Sequence, residues 1–279
     1  MLAVLGGRAL STLGTGARWA RGAGLGRLMQ AGRDAADAVF LRLGRPPLRA
    51  DVGGLTVRGY LRHRSFLAHL ASGTYEPEYR RLFERELRPG ATVVDAGAHI
   101  GTYTLLACRA VGPSGYVVAI EPDPYNVRAL EQNVRREGCA NVRIVPKALA
   151  DAPGTARFQQ SLGTISSSFE AREGRGPFRE LELEVTSVDT ELAAIDVDAL
   201  VVKLDVEGAE PRALAGMTET IARAASVALF LEVNPSALAV SGSDEASLLA
   251  QVDALGLEPT PIGDERVGSG PTNLLCVRR

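Results

Sequence analysis

From residue 92 onward the chain alternates short apolar runs with longer amphipathic stretches. Thr92 to Asp95, Tyr116 to Glu121, Val142 to Val145, Ala199 to Asp205 and Val227 to Glu232 are rich in Val, Ile and Leu. Near-continuous apolar runs of this length predict strands buried on both faces. Between them, Gly101 to Val111, Tyr125 to Glu137, Pro211 to Arg223 and Asp244 to Leu255 carry helical periodicity. Strands that alternate with helices predict an α/β class with a doubly wound, mostly parallel sheet covered on both faces. Leu257 to Ile262 and Asn273 to Val277 predict a C-terminal antiparallel hairpin that closes the sheet.

The rest of the chain is less regular. Residues 51–62 (DVGGLTVRGYLR) predict a short strand or hairpin after Pro46-Pro47. Ser65 to Ser72 and Glu76 to Leu87 predict helices, the second with Pro77 at an early helical position. Pro89-Gly90 ends this region, so residues 51–90 form an N-terminal β/α cap and residues 91–279 the main domain. Residues 155–187 predict irregular β-structure, and the Gly/Ser/Arg-rich stretch 161–177 a mobile loop of functional length.

Composition narrows the class. The 279 residues are 46% hydrophobic and 23% charged, which suits a soluble globular protein. A net charge of -2 supplies no basic field for nucleic acid. No stretch is apolar enough to span a bilayer. Cys108, Cys139 and Cys276 form no C-x-x-C pair and no even framework, so a reducing, cytoplasmic setting is expected. Residues 1–50 hold eight arginines against Asp34 and Asp37, with many Gly and Ala. They read as a loosely docked N-terminal arm, with a transit-like segment or a basic surface helix in weak membrane contact as alternatives. Lys147 and Lys203 are the only lysines; the other 29 basic residues are arginines, as a GC-rich genome would give.

Candidate chemistry begins at TVVDAGAHIGTYTLL, Thr92 to Leu106. This is a strand, a tight turn and a helix with the pattern D-x-G-x-x-x-G over Asp95, Gly97 and Gly101. A dinucleotide site carries G-x-G-x-x-G, and its pyrophosphate would be repelled by Asp95. A ligand bearing an ammonium or sulfonium would not. The glycine turn lets backbone approach closely, and the following helix N-terminus can receive a carboxylate. The next strand ends in Glu121, followed by Pro122-Asp123, and an acid there can grip two ribose hydroxyls. Together these features predict a nucleoside-containing ligand.

VVDAGAHIG with AIEPDP resembles the S-adenosylmethionine site of Rossmann-like, class I methyltransferases. YEPE at 75–78, PKALAD at 146–151 and VKLDVEGAE at 202–210 are similar to the FkbM family. The likeness runs from about Tyr75 to the C-terminus. It implies an O-methyltransferase that uses S-adenosylmethionine and acts on a hydroxyl of a small metabolite, sugar, glycan or polyketide. By the same resemblance Asp95, Gly97, Ala98, His99 and Gly101 wrap the methionine part and Glu121 holds the ribose. Asp123, Lys147 and Ala148 lie near the adenosine, and Tyr75 and Glu76 close over the donor. His99 stands where the family more often has Asn.

LVVKLDVEGAE, Leu200 to Glu210, is a core strand that collects Lys203, Asp205, Glu207 and Glu210 at its end. If the strand persists, Lys203, Asp205 and Glu207 share one face and open onto the cleft. An alcohol acceptor must lose a proton, so the candidate base is Asp205, with Glu207 or Glu232 next, and Lys203 orients the pair or binds the acceptor. Glu210 fits an acid that complements a helix N-terminus. Asp205, Glu207, Glu232 and Asn234 are also the right types for Mg²⁺, but acids lining a methyl-donor cleft need no metal, and none is assigned. The strand ends in LDVEG, not in the Asn/Asp-Pro-Pro-aromatic loop of base methyltransferases, so no nucleic-acid partner is expected. The competing readings are a donor-binding regulatory protein without catalysis and, less well matched, an NAD(P)-dependent oxidoreductase.

Overall fold

A computed structural model describes residues 25–161, 178–263 and 271–278. Nearly all of the expected 161–177 loop, and residues 1–24, lie outside the described residues. The chain divides into two compact units, 1–75 and 76–279.

In the first unit α1 (Leu25–Leu43) precedes an antiparallel hairpin of β1 (Leu48–Val52) and β2 (Leu55–Gly59). The hairpin turns on Gly53 and Gly54, both with positive φ, as the tight two-residue turn demands. A 3-10 turn, Leu61–His63, leads into α2 (Arg64–Ala71). The buried carboxylate of Asp37 on α1 accepts the backbone amides of Leu61 at 2.7 Å and Arg62 at 3.1 Å. Part of the expected loose arm is therefore a docked helix. One acid inside a basic, small-residue stretch supplies the tie.

The second unit opens with α3 (Pro77–Glu86) and then builds the sheet. Its parallel strands are β3 (Thr92–Ala96), β4 (Tyr116–Ile120), β5 (Val142–Val145), β9 (Ala199–Leu204) and β10 (Ser226–Val233). β11 (Glu258–Pro261) and β12 (Thr272–Arg278) add the antiparallel hairpin, and the order across the sheet is β11-β12-β10-β9-β3-β4-β5. Val94, Val118, Val202, Leu204, Leu229 and Leu231 are fully buried, which is why these strands read as unbroken apolar runs. The doubly wound α/β expectation holds.

α4 (Thr102–Val111) and α5 (Pro124–Arg136) follow β3 and β4. The 155–187 region resolves into a small sheet of β6 (Ala148–Leu149), β7 (Gly154–Ser161) and β8 (Phe178–Thr186), then a short α6 (Val188–Glu191). The helix expected over 211–223 is two helices, α7 (Glu210–Ala215) and α8 (Thr218–Arg223). They break at Gly216, where a Cβ would lie 2.3 Å from the Ala150 carbonyl oxygen. α9 (Pro235–Val240) was not foreseen; α10 (Glu245–Ala254) was. Among the described residues no helix is long and apolar enough to cross a membrane.

The cysteine reading needs correction. Cys108 on α4 and Cys139, just beyond α5, form a disulfide, and Cys276 alone is free and buried. The crossover helices of β3-α4-β4-α5-β5 lie side by side, so their C-terminal ends meet. Sequence spacing does not reveal such a meeting.

Candidate active site

The chain winds outward from β3 through β4 to β5 and then returns to place β9 and β10 on the other side of β3. The reversal falls between β3 and β9, and ligands of such sheets bind outside the carboxyl ends of the strands at this point. Asp95 and Lys203 are register partners across this boundary.

The glycine turn sits directly on the end of β9. Gly97 has φ 76, and a Cβ there would lie 1.9 Å from the Asp205 carbonyl oxygen. The amides of Gly97 and Ala98 both donate to Ile120 O at 3.0 Å, and that of His99 donates to Glu121 Oε2 at 2.8 Å. The turn is thus clamped to the ends of both neighbouring strands. His99 takes φ 52, a left-handed conformation that Asn and His tolerate better than most residues. That explains how His serves where the family more often has Asn. Gly101, φ 94, begins α4, and a Cβ there would meet Leu130 Cδ1 at 2.6 Å.

Two buried oxygens in this corner have no partner: Asp95 Oδ1 and Thr102 Oγ1. Asp95 Oδ2 accepts the Thr104 hydroxyl. Burial raises the Asp95 carboxyl above its ordinary range, against the opposing pull of Lys203 and the Thr104 hydroxyl. Glu121 is also buried; its Oε1 accepts the Asp123 amide at 2.9 Å and Asn126 Nδ2 at 3.1 Å. Burial, with Asp123 adding, pushes it up to about 7.

Lys203 is the hub. Its side chain is 5% exposed, and Nζ lies 3.2 Å from Asp205 Oδ2 and 3.4 Å from Gly97 O. Nζ also stands 5.6 Å from the Tyr103 ring centroid. Burial works against its charge, but Asp205, Asp95 and Glu76 outweigh it and raise the ammonium above the ordinary lysine range. Tyr103 donates its hydroxyl to Glu76 Oε2 at 2.8 Å and packs edge-on against Tyr79 and Phe83, which both meet Phe230. This aromatic wall escaped the sequence reading, because its members are scattered over three elements.

β9 ends at Leu204, so the side-chain alternation expected through Glu207 stops short. Glu207 takes φ 57 and Gly208 φ 103, and a Cβ on Gly208 would lie 2.7 Å from Ala237 O. Glu210 does more than complement a helix N-terminus: its Oε1 accepts the amides of Val206 at 3.0 Å and Gly208 at 3.1 Å. Its Oε2 is buried without a partner, and burial pushes the group up to about 7. Asp205 keeps 30% of its side chain exposed.

Glu232 follows Leu231, the register partner of Leu204, and so stands beside Asp205. Burial and the carboxylates of Asp205, Glu207 and Glu210 push it up to about 9. Asn234 caps α9, accepting the Ala237 amide at 3.2 Å and the Ser236 hydroxyl at 2.8 Å. Among the described residues no three His, Cys, Asp or Glu side chains converge to hold a metal ion.

The remaining candidates are placed as follows. Asp123 caps α5 through Tyr125 N at 2.8 Å. Lys147 pairs with Glu184 at 2.8 Å near the surface, and Ala148 is buried in β6. Tyr75 belongs to the first unit, edge-on to Phe66 with ring centroids 4.8 Å apart. Glu76, His99 and Glu207 are the three non-glycine residues with positive φ among the described residues, and all three are site candidates. Strained backbone concentrates where function demands a fixed geometry.

Residues 95–252 match the methyltransferase FkbM domain. The chain belongs to the FkbM methyltransferase family. It is 31% identical over 153 residues to the 31-O-demethyl-FK506 methyltransferase FkbM of Streptomyces tacrolimicus, covering 52% of this chain and 57% of that protein. The match therefore spans little more than half of that relative. Among solved structures it is similar to a SAM-dependent methyltransferase from Aquifex aeolicus (16% identity, 72% and 89% of the two chains, TM-score 0.41). It is also similar to precorrin-6y C5,15-methyltransferase from Geobacter metallireducens (12% identity, 72% and 88%, TM-score 0.43).

The donor site of this FkbM-family domain takes S-adenosylmethionine, and the residues present fit it. The orphaned Asp95 Oδ1 is an acceptor suited to an ammonium. Thr102 Oγ1, in the first turn of α4, and the N-terminus of that helix suit a carboxylate. Glu121 Oε2 accepts one protein donor and so retains a lone pair for a ribose hydroxyl.

Proposed function

We propose that this FkbM-family domain transfers a methyl group from S-adenosylmethionine to a hydroxyl oxygen of a small metabolite, sugar, glycan or polyketide. The observation that carries the reading is Asp205: its partly exposed carboxylate pairs with a buried lysine, and its backbone carbonyl lies against the glycine turn. The donor supplies an electrophilic methyl carbon on a sulfonium. Asp205 accepts the proton of the acceptor hydroxyl as that oxygen bonds to the methyl carbon and the C–S bond breaks. Lys203 fixes the carboxylate through one bond and the turn through another, so base and donor pocket keep one spacing. Holding the reacting groups in line supplies much of the acceleration. Glu210 holds the loop that carries Asp205 through the amides of Val206 and Gly208. The related 31-O-demethyl-FK506 methyltransferase supports oxygen as the accepting atom.

The test is methyl-labelled S-adenosylmethionine offered with a panel of hydroxylated acceptors. Asp205→Asn is expected to bind S-adenosylhomocysteine like the wild type and to lose turnover by about a hundredfold or more. Undiminished turnover at saturating substrate would remove Asp205 as the base. Donor binding without transfer to any acceptor would favour a regulatory binding protein.

A further inference from the structure

We propose that a cleft between α7, α8 and α10 is a second small-molecule site, which takes an apolar carboxylic acid bearing an N–H donor: an acylated amino acid. It lies apart from the donor turn and stands independently of the methyl-transfer reading.

The cleft has a volume of about 590 Å³, within the range of about 300–1,000 Å³ usual for small-molecule sites. Leu214 on α7, Ile221 and Ala222 on α8 and Leu255 just beyond α10 give it apolar walls. Such walls alone would name no occupant; two polar groups do. Gln251 Oε1, on α10, is buried without a hydrogen-bond partner. Leaving a buried acceptor unpaired costs about 1–3 kcal/mol, and a ligand N–H in the cleft would supply its partner. Arg278, on β12, is the only charged side chain among the described residues that line the cleft. Its Nη2 donates to the backbone carbonyls of Ile221 and Ala224. Those bonds fix the guanidinium and leave Nε and Nη1 to donate to an anion. The hydrocarbon walls, the orphaned acceptor and the fixed cation each ask for one part of a ligand. An acyl chain, an amide N–H and a carboxylate on one small molecule meet all three.

The sheet separates this cleft from the charged strand end. Arg278 is the register partner of Val227, near the start of β10. Leu231, four residues further along β10, is the register partner of Leu204, which precedes Asp205. At about 3.3 Å per residue the two positions lie about 13 Å apart along the strand. The cleft therefore opens toward the amino ends of the parallel strands, and the donor turn lies at their carboxyl ends. A ligand in one leaves the other free.

The experiment is calorimetry on the full chain with three probes: N-decanoylglycine, its N-methyl counterpart N-decanoylsarcosine, and N-decanoylglycine methyl ester. Each is used below the concentration at which it forms micelles. The wild type is expected to bind N-decanoylglycine about tenfold more tightly than the N-methyl probe, which has lost one hydrogen-bond donor. The methyl ester, which has lost the charge, is expected to bind about tenfold more weakly or worse. Gln251→Leu should bring the N–H and N-methyl probes to equal affinity while both still bind. Ala222→Trp, a filling change at an exposed helix position, should abolish binding of all three and leave S-adenosylhomocysteine binding intact, which also shows that the variant is folded. Absent binding by the wild type overturns the proposal, as does equal affinity for the N–H and N-methyl probes. Binding that survives Ala222→Trp, or that S-adenosylhomocysteine displaces, places the probe elsewhere and overturns it too. If S-adenosylhomocysteine does not bind the wild type, the methyl-transfer reading fails while this site is still judged by its own three probes.

Discussion

Replacing Gly97 with alanine tests how tightly the donor turn and the charged strand end are locked together. The added Cβ would lie 1.9 Å from the carbonyl oxygen of Asp205, a backbone atom that cannot swing aside. Restoring even a tight contact requires a shift of about 1 Å in the turn or in the β9 end. Alanine also pays about 1–2 kcal/mol for the left-handed conformation at φ 76. Overpacking adds about 1–3 kcal/mol, so the total loss is about 2–5 kcal/mol. For a unit of this size that corresponds to a fall in Tm of roughly 5–15 °C. A misplacement near 1 Å at the base and the donor turn costs about a hundredfold in turnover. Thermal unfolding measures the first effect; methyl-transfer turnover, with calorimetry of S-adenosylhomocysteine binding, measures the second. Gly256→Ala is the control. It has φ 69 but nothing within 4 Å of the new Cβ, so it carries only the conformational cost and leaves donor affinity unchanged. If Gly97→Ala matches Gly256→Ala in both stability and donor affinity, the turn is not seated on Asp205 and the site geometry argued above is wrong.

Three further outcomes are expected. The Cys108–Cys139 disulfide spans 31 positions, so its removal as Cys108→Ser/Cys139→Ser should cost about 3–4 kcal/mol through the freed loop entropy, read as a lower urea midpoint. An oxidised protein with three titratable thiols would refute the pairing. Glu210 is raised from 4.5 to about 7, so the folded state binds more protons than the unfolded state between those values. Stability should therefore be greatest at the acid end of that window and fall by about 3 kcal/mol as pH rises through it. Glu210→Gln should flatten this slope in urea titrations at successive pH values, and an unchanged slope would assign the effect elsewhere. His99→Asn should be neutral within about 0.5 kcal/mol because Asn accepts a left-handed backbone, whereas His99→Val should cost about 1–2 kcal/mol. Equal stability of the two variants would show that the backbone at 99 is not held there.

Most of the sheet was legible because a strand buried on both faces must be apolar throughout, and that demand writes itself into consecutive residues. The glycine turn was legible for a similar reason: Asp95, Gly97 and Gly101 sit within seven residues, and the conformations they need are local. The disulfide was not, since no local rule brings Cys108 to Cys139; two parallel crossovers do. Nor was the break at Gly216, which exists because the Ala150 carbonyl approaches from a distant segment. Glu210 read as a helix-flanking acid, and only the fold shows it buried and holding the amides of Val206 and Gly208.

The division between sequence and fold is sharpest at the charged strand end. The chain alone determined that Lys203, Asp205, Glu207 and Glu210 follow a core strand and that this strand end must meet a cleft. It did not determine what each group does there. That depends on Asp95 arriving in register with Lys203, on Tyr103 and Glu76 closing one side, and on Glu232 standing next to Asp205. A charge's protonation and partners are set by its burial and by the other charges within a few ångströms. Those neighbours come from strands far apart in sequence, and only the tertiary structure brings them together.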